Sequence, residues 1–190
     1  MHYIIAPRES FTKETLYAMH RLRADVFKHR KGWDIPLIGE LEIDGYDALD
    51  PYYMLIQDSG SDSLVRGCWR LLPTTGPYML KDTFGQLLNG HPRPCSENIW
   101  ELSRFAINAR NPQAMSFSQT SMEAIREIIL YGVRRALHSY VTVTTVGVER
   151  MLASAGINIR RFGPPQTIGV ERAVALEIML CEKTLRAVSN

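Results

Sequence analysis

The sequence predicts an α/β (α+β) domain: a mostly antiparallel sheet with helices packed on it and one parallel pair of central strands. Three observations predict this class. Apolar residues recur at helical spacing in some stretches and gather in short β-branched runs in others, and the two patterns alternate along the chain. Val141 to Val148, VTVTTVGV, is a strong strand signal. Ile99 to Ile107 is a second strand-like run, and one helical pattern separates the two. A crossover of that length makes such strands parallel. With 190 residues, of which 45% are hydrophobic and 22% charged, the chain suits one domain, 1–190, with one core.

Residues 2–6 form a short first strand. Phe11, Leu16, Met19, Leu22 and Val26 then mark a helix with Ser10 as N-cap, failing near Gly32. Lys31 to Asp50 mixes Gly, Pro, Asp and aromatics and reads as a long structured loop, a length often reserved for function. Tyr52 to Gln57 and Leu64 to Leu72 make a hairpin about the turn Asp58 to Ser63. Tyr78 to Leu88 holds a short helix after the break at Pro73 to Pro77, and Gly90 to Glu97 is loop. After the strand 99–107, Met122, Ile125, Ile129, Val133 and Ala136 line one helix face. A further helix, Glu149 to Ala155, ends at Gly156. Arg161 to Gly169 reads as loop, Val170 to Leu180 as the last strand, and the tail as helical or frayed.

The formal net charge of +2 is too small to argue for nucleic acid. Cys68, Cys95 and Cys181 are odd in number and lack CxxC spacing, which argues against a disulfide framework or zinc site and fits a reducing cytosol. No metal site is expected. Met1 to Arg8 has no signal-peptide pattern, and no apolar run reaches membrane-spanning length, so a cytoplasmic protein without membrane insertion is expected.

The chemistry gathers in a few segments. Along Trp100-Glu101-Leu102-Ser103-Arg104-Phe105, strand alternation puts Glu101, Ser103 and Phe105 on one face and Arg104 on the other. Buried charges need partners. Two readings fit: an internal Glu–Arg network that supports the fold, or groups facing a polar cleft. Asp44-Gly45-Tyr46-Asp47 places two carboxylates at a turn, where Asp and Gly are also ordinary turn residues. Arg23 and Phe27, four apart, share a helix face near Trp33. Arg70 lies in the strand-like CWRLL. Arginine grips a carboxylate with two parallel hydrogen bonds, so this mixed set suits a cationic substrate that carries an amino acid.

Arg23, Phe27, Trp33, Asp44, Asp47, Arg70, Phe84, Glu101, Ser103 and Arg104, in that order and spacing, resemble the LuxI-type autoinducer synthases. The flanking text agrees: FKHRKGW, EIDGYDALDPYYMLIQ, GCWRLLPTTGPYMLKDTF, IWELSRFAIN and VTVTTVGVERM. The likeness spans nearly the whole chain and points to LasI-type synthases of long 3-oxoacyl signals. It implies a GNAT-like acyl-CoA N-acyltransferase fold: a twisted mixed sheet with a V-shaped split between strands 99–107 and 141–148 and helices on both faces. It implies an acyl-homoserine-lactone synthase that takes an acyl chain from acyl carrier protein and S-adenosylmethionine as co-substrate. No cofactor is expected, since S-adenosylmethionine is a substrate, and its sulfonium, an excellent leaving group, removes the need for an external energy source.

The resemblance also assigns roles. The catalytic set becomes Glu101 as candidate general base, Ser103 as helper to the backbone N–H groups at the oxyanion, and Arg104, which would grip carboxylate or organise the acids. Arg23, Phe27, Trp33, Asp44, Asp47, Arg70, Phe84 and Arg104 would hold S-adenosylmethionine. Trp69, Met79, Leu102, Phe105, Phe117, Met122, Leu152 and Ile178 would line the acyl tunnel, and Thr142, Thr144 and Thr145 would meet a 3-oxo group. Plain core packing and β-propensity explain the same residues without function. Arg150, Arg160, Arg161 and Arg172 would dock the acidic carrier protein. Three alternatives stand against this. A GNAT-type N-acetyltransferase using acyl-CoA would carry a Gly-rich loop after the central strand, but Asn108 to Ala114 has no glycine. A non-catalytic signal-binding protein would not explain the acids and arginines. A methyltransferase lacks its GxGxG motif here.

Overall fold

Thr12, not Ser10, starts the first helix: its hydroxyl accepts from the Thr15 N–H at 3.2 Å. Arg8–Ser10 instead forms a 3₁₀ turn. Both residue types cap well; the helix begins where the apolar spacing begins. In the computed structural model, which describes residues 1–58, 64–108 and 119–189, the strands are β1 (His2–Pro7), β2 (Tyr52–Gln57), β3 (Val65–Pro73), β4 (Ile99–Ile107), β5 (Ser139–Thr145), β6 (Ile159–Arg161), β7 (Gln166–Ile168) and β8 (Glu171–Met179). The helices are α1 (Lys13–Ala24), α2 (Met79–Asp82), α3 (Gln119–Arg134), α4 (Val146–Ser154) and α5 (Glu182–Ser189). Hydrogen-bonded neighbours run β1-β2-β3-β4-β5-β8-β6, with β7 also on β8, so the sheet is mixed.

The chain divides into two compact units, Met1–Leu71 with Arg104–Ala124, and Leu72–Ser103 with Ile125–Asn190. In the first, β1, β2 and β3 form an antiparallel meander. Met19, Leu22, Val26 and Phe27 of the first helical segment pack on Tyr53, Leu55, Val65, Cys68 and Ala106. Apolar spacing on α1 and alternation on β2 thus bury one common core. After Ala24 the helix widens into a π-helical turn, Asp25–Arg30. Such turns are often found at functional sites.

In the second unit, β4 pairs with β5 in parallel from Ile99↔Ser139 to Leu102↔Thr142 and no further, although β5 runs on to Thr145. The Thr142 hydroxyl closes that last rung by donating to the Leu102 carbonyl at 2.8 Å. The parallel pair is as expected, and its early end is what a split between the strands calls for. β8 pairs antiparallel with β5 along its full length. Gly132 lets α3 approach β5: a Cβ there would lie 2.7 Å from the Tyr140 hydroxyl.

Two expectations are corrected. Residues 161–169 are not all loop, because β6 and β7 pair with β8. The strand expected over 141–148 stops at Thr145, whose hydroxyl accepts from the Val148 N–H at 3.3 Å and so starts α4. The cap outweighs the β-propensity of Val146 and Val148.

Candidate active site

The first unit holds three arginines against three carboxylates. Arg23 comes from the last turn of α1, Arg70 from β3 and Arg104 from β4. Glu42, Asp44 and Asp47 come from the segment between the π-helical turn and β2, ending in the 3₁₀ turn Gly45–Ala48. A capping box builds that turn: the Asp44 side chain accepts from Tyr46 N–H at 2.9 Å, and Asp47 accepts from Asp44 N–H at 2.9 Å. The turn residues of the sequence are thus both turn-formers and charge carriers.

Arg23 donates to both oxygens of Asp47, at 2.7 and 2.9 Å, and through Nε to Glu42. Arg70 donates to Asp44 at 2.5 and 3.1 Å and to Asp47 at 2.9 Å. Arg104 donates through Nε to Glu42 at 3.0 Å and pairs with Asp44 at 2.8 Å. Three positive and three negative charges balance, as burial demands. Arg23 and Arg70 are fully buried, whereas the Arg104 and Asp44 side chains are 11% and 18% exposed. Those two are the face that the cluster shows outward.

Burial opposes ionisation of Asp47, but the hydrogen bonds from Arg23 and the charges of Arg23 and Arg70 outweigh it and hold the carboxyl well below the usual range. Arg23 is raised by the same pairing, against its own burial. Burial and the Asp47 charge push the Tyr53 phenol up while it donates to Asp47 at 2.7 Å. His20, desolvated and beside Arg23, is shifted down; its Nδ1 lies 2.8 Å from the Glu42 carbonyl. A cavity of about 350 Å³ reaches Asp44 and Asp47 from the side of Lys13, Tyr17 and His20.

Arg104 has a left-handed backbone inside β4. Its φ is +59°, a conformation that costs a non-glycine residue about 1–2 kcal/mol. The expected opposition of Arg104 to Phe105 is kept: Phe105 stacks on Trp69, whereas Arg104 shares Asp44 with Arg70, the next residue of β3. Nearby, Phe27 and Trp33 stack at 4.8 Å and 8°, and the Arg104 guanidinium lies 5.7 Å from the Phe27 ring. The Trp33 indole N–H is buried with no hydrogen-bond partner among the described residues. An orphaned buried donor calls for an explanation, and a ligand acceptor supplies one.

Of the predicted residues, the first unit thus gathers Arg23, Phe27, Trp33, Asp44, Asp47, Arg70 and Arg104. It also contains Trp69 and Phe105, whose rings lie 4.3 Å apart, and Met122. Phe117 lies outside the described residues. Glu42 was missed, although an acid set between Leu41 and Ile43 is the signature of a buried, paired charge.

The second unit holds Met79, Phe84, Glu101, Leu102, Ser103, Thr142, Thr144, Thr145, Leu152 and Ile178. Glu101 is 1% exposed. It accepts from the N–H groups of Met79 at 3.0 Å and Leu80 at 2.6 Å, and so anchors the first turn of α2. The hydroxyls of Thr142 and Thr145 are committed as above, while that of Thr144 makes no hydrogen bond among the described residues. Arg150, Arg161 and Arg172 surround a cavity of about 330 Å³ with Val146 and Pro165. Arg161 is paired with Glu149 and Arg160 with Glu177 at 2.5 Å. Arg150 and Arg172 carry no ion pair among the described residues.

A family model described as autoinducer synthase matches residues 8–188. The chain is 57% identical over 180 residues to an acyl-homoserine-lactone synthase of Pseudomonas aeruginosa, covering 95% of this chain and 90% of that one. Its structure resembles the crystal structure of the AHL synthase LasI, with a TM-score of 0.88, 56% identity and coverage of 98% and 94%. It also resembles TofI in a ternary complex with an inhibitor and MTA, with a TM-score of 0.81, 32% identity and coverage of 100% and 97%. The fold alone extends to a putative N-acetyltransferase from Lactobacillus plantarum, with a TM-score of 0.62 at 13% identity. With the acid–arginine cluster and the sequence segments that carry it intact, the chain belongs to the autoinducer synthase family and is an acyltransferase of the acyl-homoserine-lactone synthase type.

Proposed function

We propose that this enzyme transfers a long 3-oxoacyl chain from acyl carrier protein to the amine of S-adenosylmethionine and closes the lactone with release of methylthioadenosine. The carrying observation is the neutral cluster of Arg23, Arg70 and Arg104 with Glu42, Asp44 and Asp47, most exposed at Arg104 and Asp44. S-adenosylmethionine presents a carboxylate, which suits Arg104, and cationic ammonium and sulfonium groups, which suit Asp44. Arg23 and Arg70, wholly buried, hold the acids in place rather than the substrate. The unpartnered Trp33 N–H supports a ligand beside the Phe27–Trp33 stack. The similar TofI was crystallised with MTA, the by-product this reaction requires.

In the first step the neutral amine attacks the thioester carbonyl; the C–N bond forms, the C–S bond breaks and the pantetheine thiol leaves. Glu101, directly or through a water, is the candidate group for the amine proton, an effect worth about 10²–10⁴-fold. Its carboxylate is oriented by the Met79 and Leu80 N–H groups. Ser103 and the backbone N–H groups around it are candidates for the developing oxyanion. In the second step the substrate carboxylate attacks its own γ-carbon, the C–S bond of the sulfonium breaks, and neutral methylthioadenosine leaves. Phe84, with the apolar Leu102, Leu152 and Ile178, stays a candidate for substrate contact.

Carrier protein is favoured over coenzyme A because Arg150, Arg161 and Arg172 ring one cavity and two of them carry no ion pair among the described residues. Purified enzyme with S-adenosylmethionine should release methylthioadenosine with a higher kcat/KM from 3-oxoacyl carrier protein than from the same 3-oxoacyl-CoA. Equal or higher efficiency with the CoA thioester would overturn the choice of donor.

A further inference from the structure

We infer that Glu42 is a positioning residue for substrate binding: one buried carboxylate that sets the direction of the Arg104 guanidinium by bridging it to Arg23. The inference rests on the proposed reading of Arg104 as the partner of the S-adenosylmethionine carboxylate. Glu42 divides its two oxygens. Oε2 accepts from Arg23 Nε, and Oε1 accepts from Arg104 Nε at 3.0 Å. Arg23 does not move, because it is fully buried and held by both oxygens of Asp47. Glu42 is therefore a rigid arm between a fixed cation and a working one.

Arg104 needs such an arm. Its left-handed backbone, φ +59°, is a state that surrounding contacts must enforce. Two carboxylates fix the plane of the guanidinium, Glu42 on the Nε edge and Asp44 at 2.8 Å on Nη2. The Cys68 thiol donates to the Arg104 carbonyl at 3.6 Å and holds the backbone from behind. Asp44 is itself partly exposed and is a candidate for substrate contact, so it would share its charge with the ligand. Glu42, 1% exposed, does not meet solvent and is the anchor that stays when substrate arrives. Arginine's planar fork transmits such an anchor into a direction, which a point charge would not.

Charge and geometry separate in two variants. Glu42→Gln offers one acceptor oxygen and an amide that donates, so one of the two arginines faces a donor; three cations also then meet two carboxylates. Glu42→Asp keeps the charge but is one methylene shorter, and it cannot bridge both Nε groups. S-adenosylmethionine binding to the full-length protein is measured by calorimetry, with KM for both substrates and a melting curve. In both variants the S-adenosylmethionine Kd and KM should rise, by about 10- to 100-fold, while KM for 3-oxoacyl carrier protein stays within about twofold, since no carrier contact is touched. If Glu42→Gln does not fold, Glu42→Asp decides, because it leaves no buried cation short of a charge. Wild-type Kd and KM in a folded Glu42→Asp protein would overturn the positioning role. Failure of the wild-type protein to bind S-adenosylmethionine would instead overturn the reading of the site, and this inference with it.

Discussion

Arg23 grips Asp47 through two parallel hydrogen bonds of 2.7 and 2.9 Å, and neither side chain is more than 4% exposed. Asp47 also receives Arg70, Tyr53 and the Asp44 N–H. Breaking a buried pair by removing one partner costs about 3–5 kcal/mol, because the other charge stays buried. Asp47→Asn should therefore lower unfolding free energy in urea by that amount. A loss below about 1 kcal/mol, the size of a surface pair, would show that the cluster is wetter than its geometry implies.

The pH response follows from His20 and Asp47. His20 is held below its ordinary 6.5 by burial and by Arg23. The unfolded chain then binds that proton first, so the contribution is complete above about 6.5 and is lost as pH falls toward the folded value. Asp47 is depressed below 3.8; its contribution is present above about 4 and fades only in stronger acid. Stability should thus decline from pH 7 to pH 5 through His20. His20→Asn, whose amide can still donate to the Glu42 carbonyl, should flatten that slope in a melting series. An unchanged slope would place the titrating group elsewhere.

Among the threonines of β5, Thr142 is spent on the Leu102 carbonyl and Thr145 on the cap of α4. On the proposed reading, Thr144 is the candidate donor for a 3-oxo group. Thr144→Val should lower kcat/KM for 3-oxoacyl donors by about five- to tenfold, one net hydrogen bond, and leave plain acyl donors of equal length unchanged. Equal loss on both would remove the assignment.

Arg150 and Arg172 carry no ion pair among the described residues, whereas Arg160 is pinned to Glu177, itself bonded to Ser139. Arg150→Glu and Arg172→Glu should each raise KM for carrier protein, roughly tenfold at low salt and less as salt screens the charge. Arg160→Gln should act mainly on stability. An unchanged KM and salt dependence in the first two variants would move the docking surface elsewhere.

Glu101, the proposed base, also serves the architecture, since its oxygens hold two N–H groups of α2. Glu101→Gln can accept only one of them. It should cut kcat by about 10²-fold or more and lower stability by about 1–3 kcal/mol. A folded variant with near-normal kcat would reject the base assignment and leave Glu101 an anchor.

Much of this site was legible in sequence because its charges sit in apolar surroundings. Arg70 within CWRLL and Arg104 within ELSRFAI could be buried only with partners, and the acids of EIDGYD were the nearest supply. β4 falls on the expected residues, Ile99–Ile107. What escaped was geometry that depends on tertiary contacts. The positive φ of Arg104 leaves no mark on the sequence pattern. β6 and β7, three residues each on either side of Pro164 and Pro165, exist only because β8 offers them a partner. Glu42 passed as loop polarity, although its apolar neighbours marked it as buried.

The most direct test is mass spectrometry of the products formed by purified enzyme from S-adenosylmethionine and 3-oxoacyl carrier protein. An N-(3-oxoacyl)-homoserine lactone and methylthioadenosine should accumulate in equal amounts. An acylated amino acid with an open carboxylate, or amide formation without methylthioadenosine, would contradict a site that holds a sulfonium amino acid for both bond-forming steps.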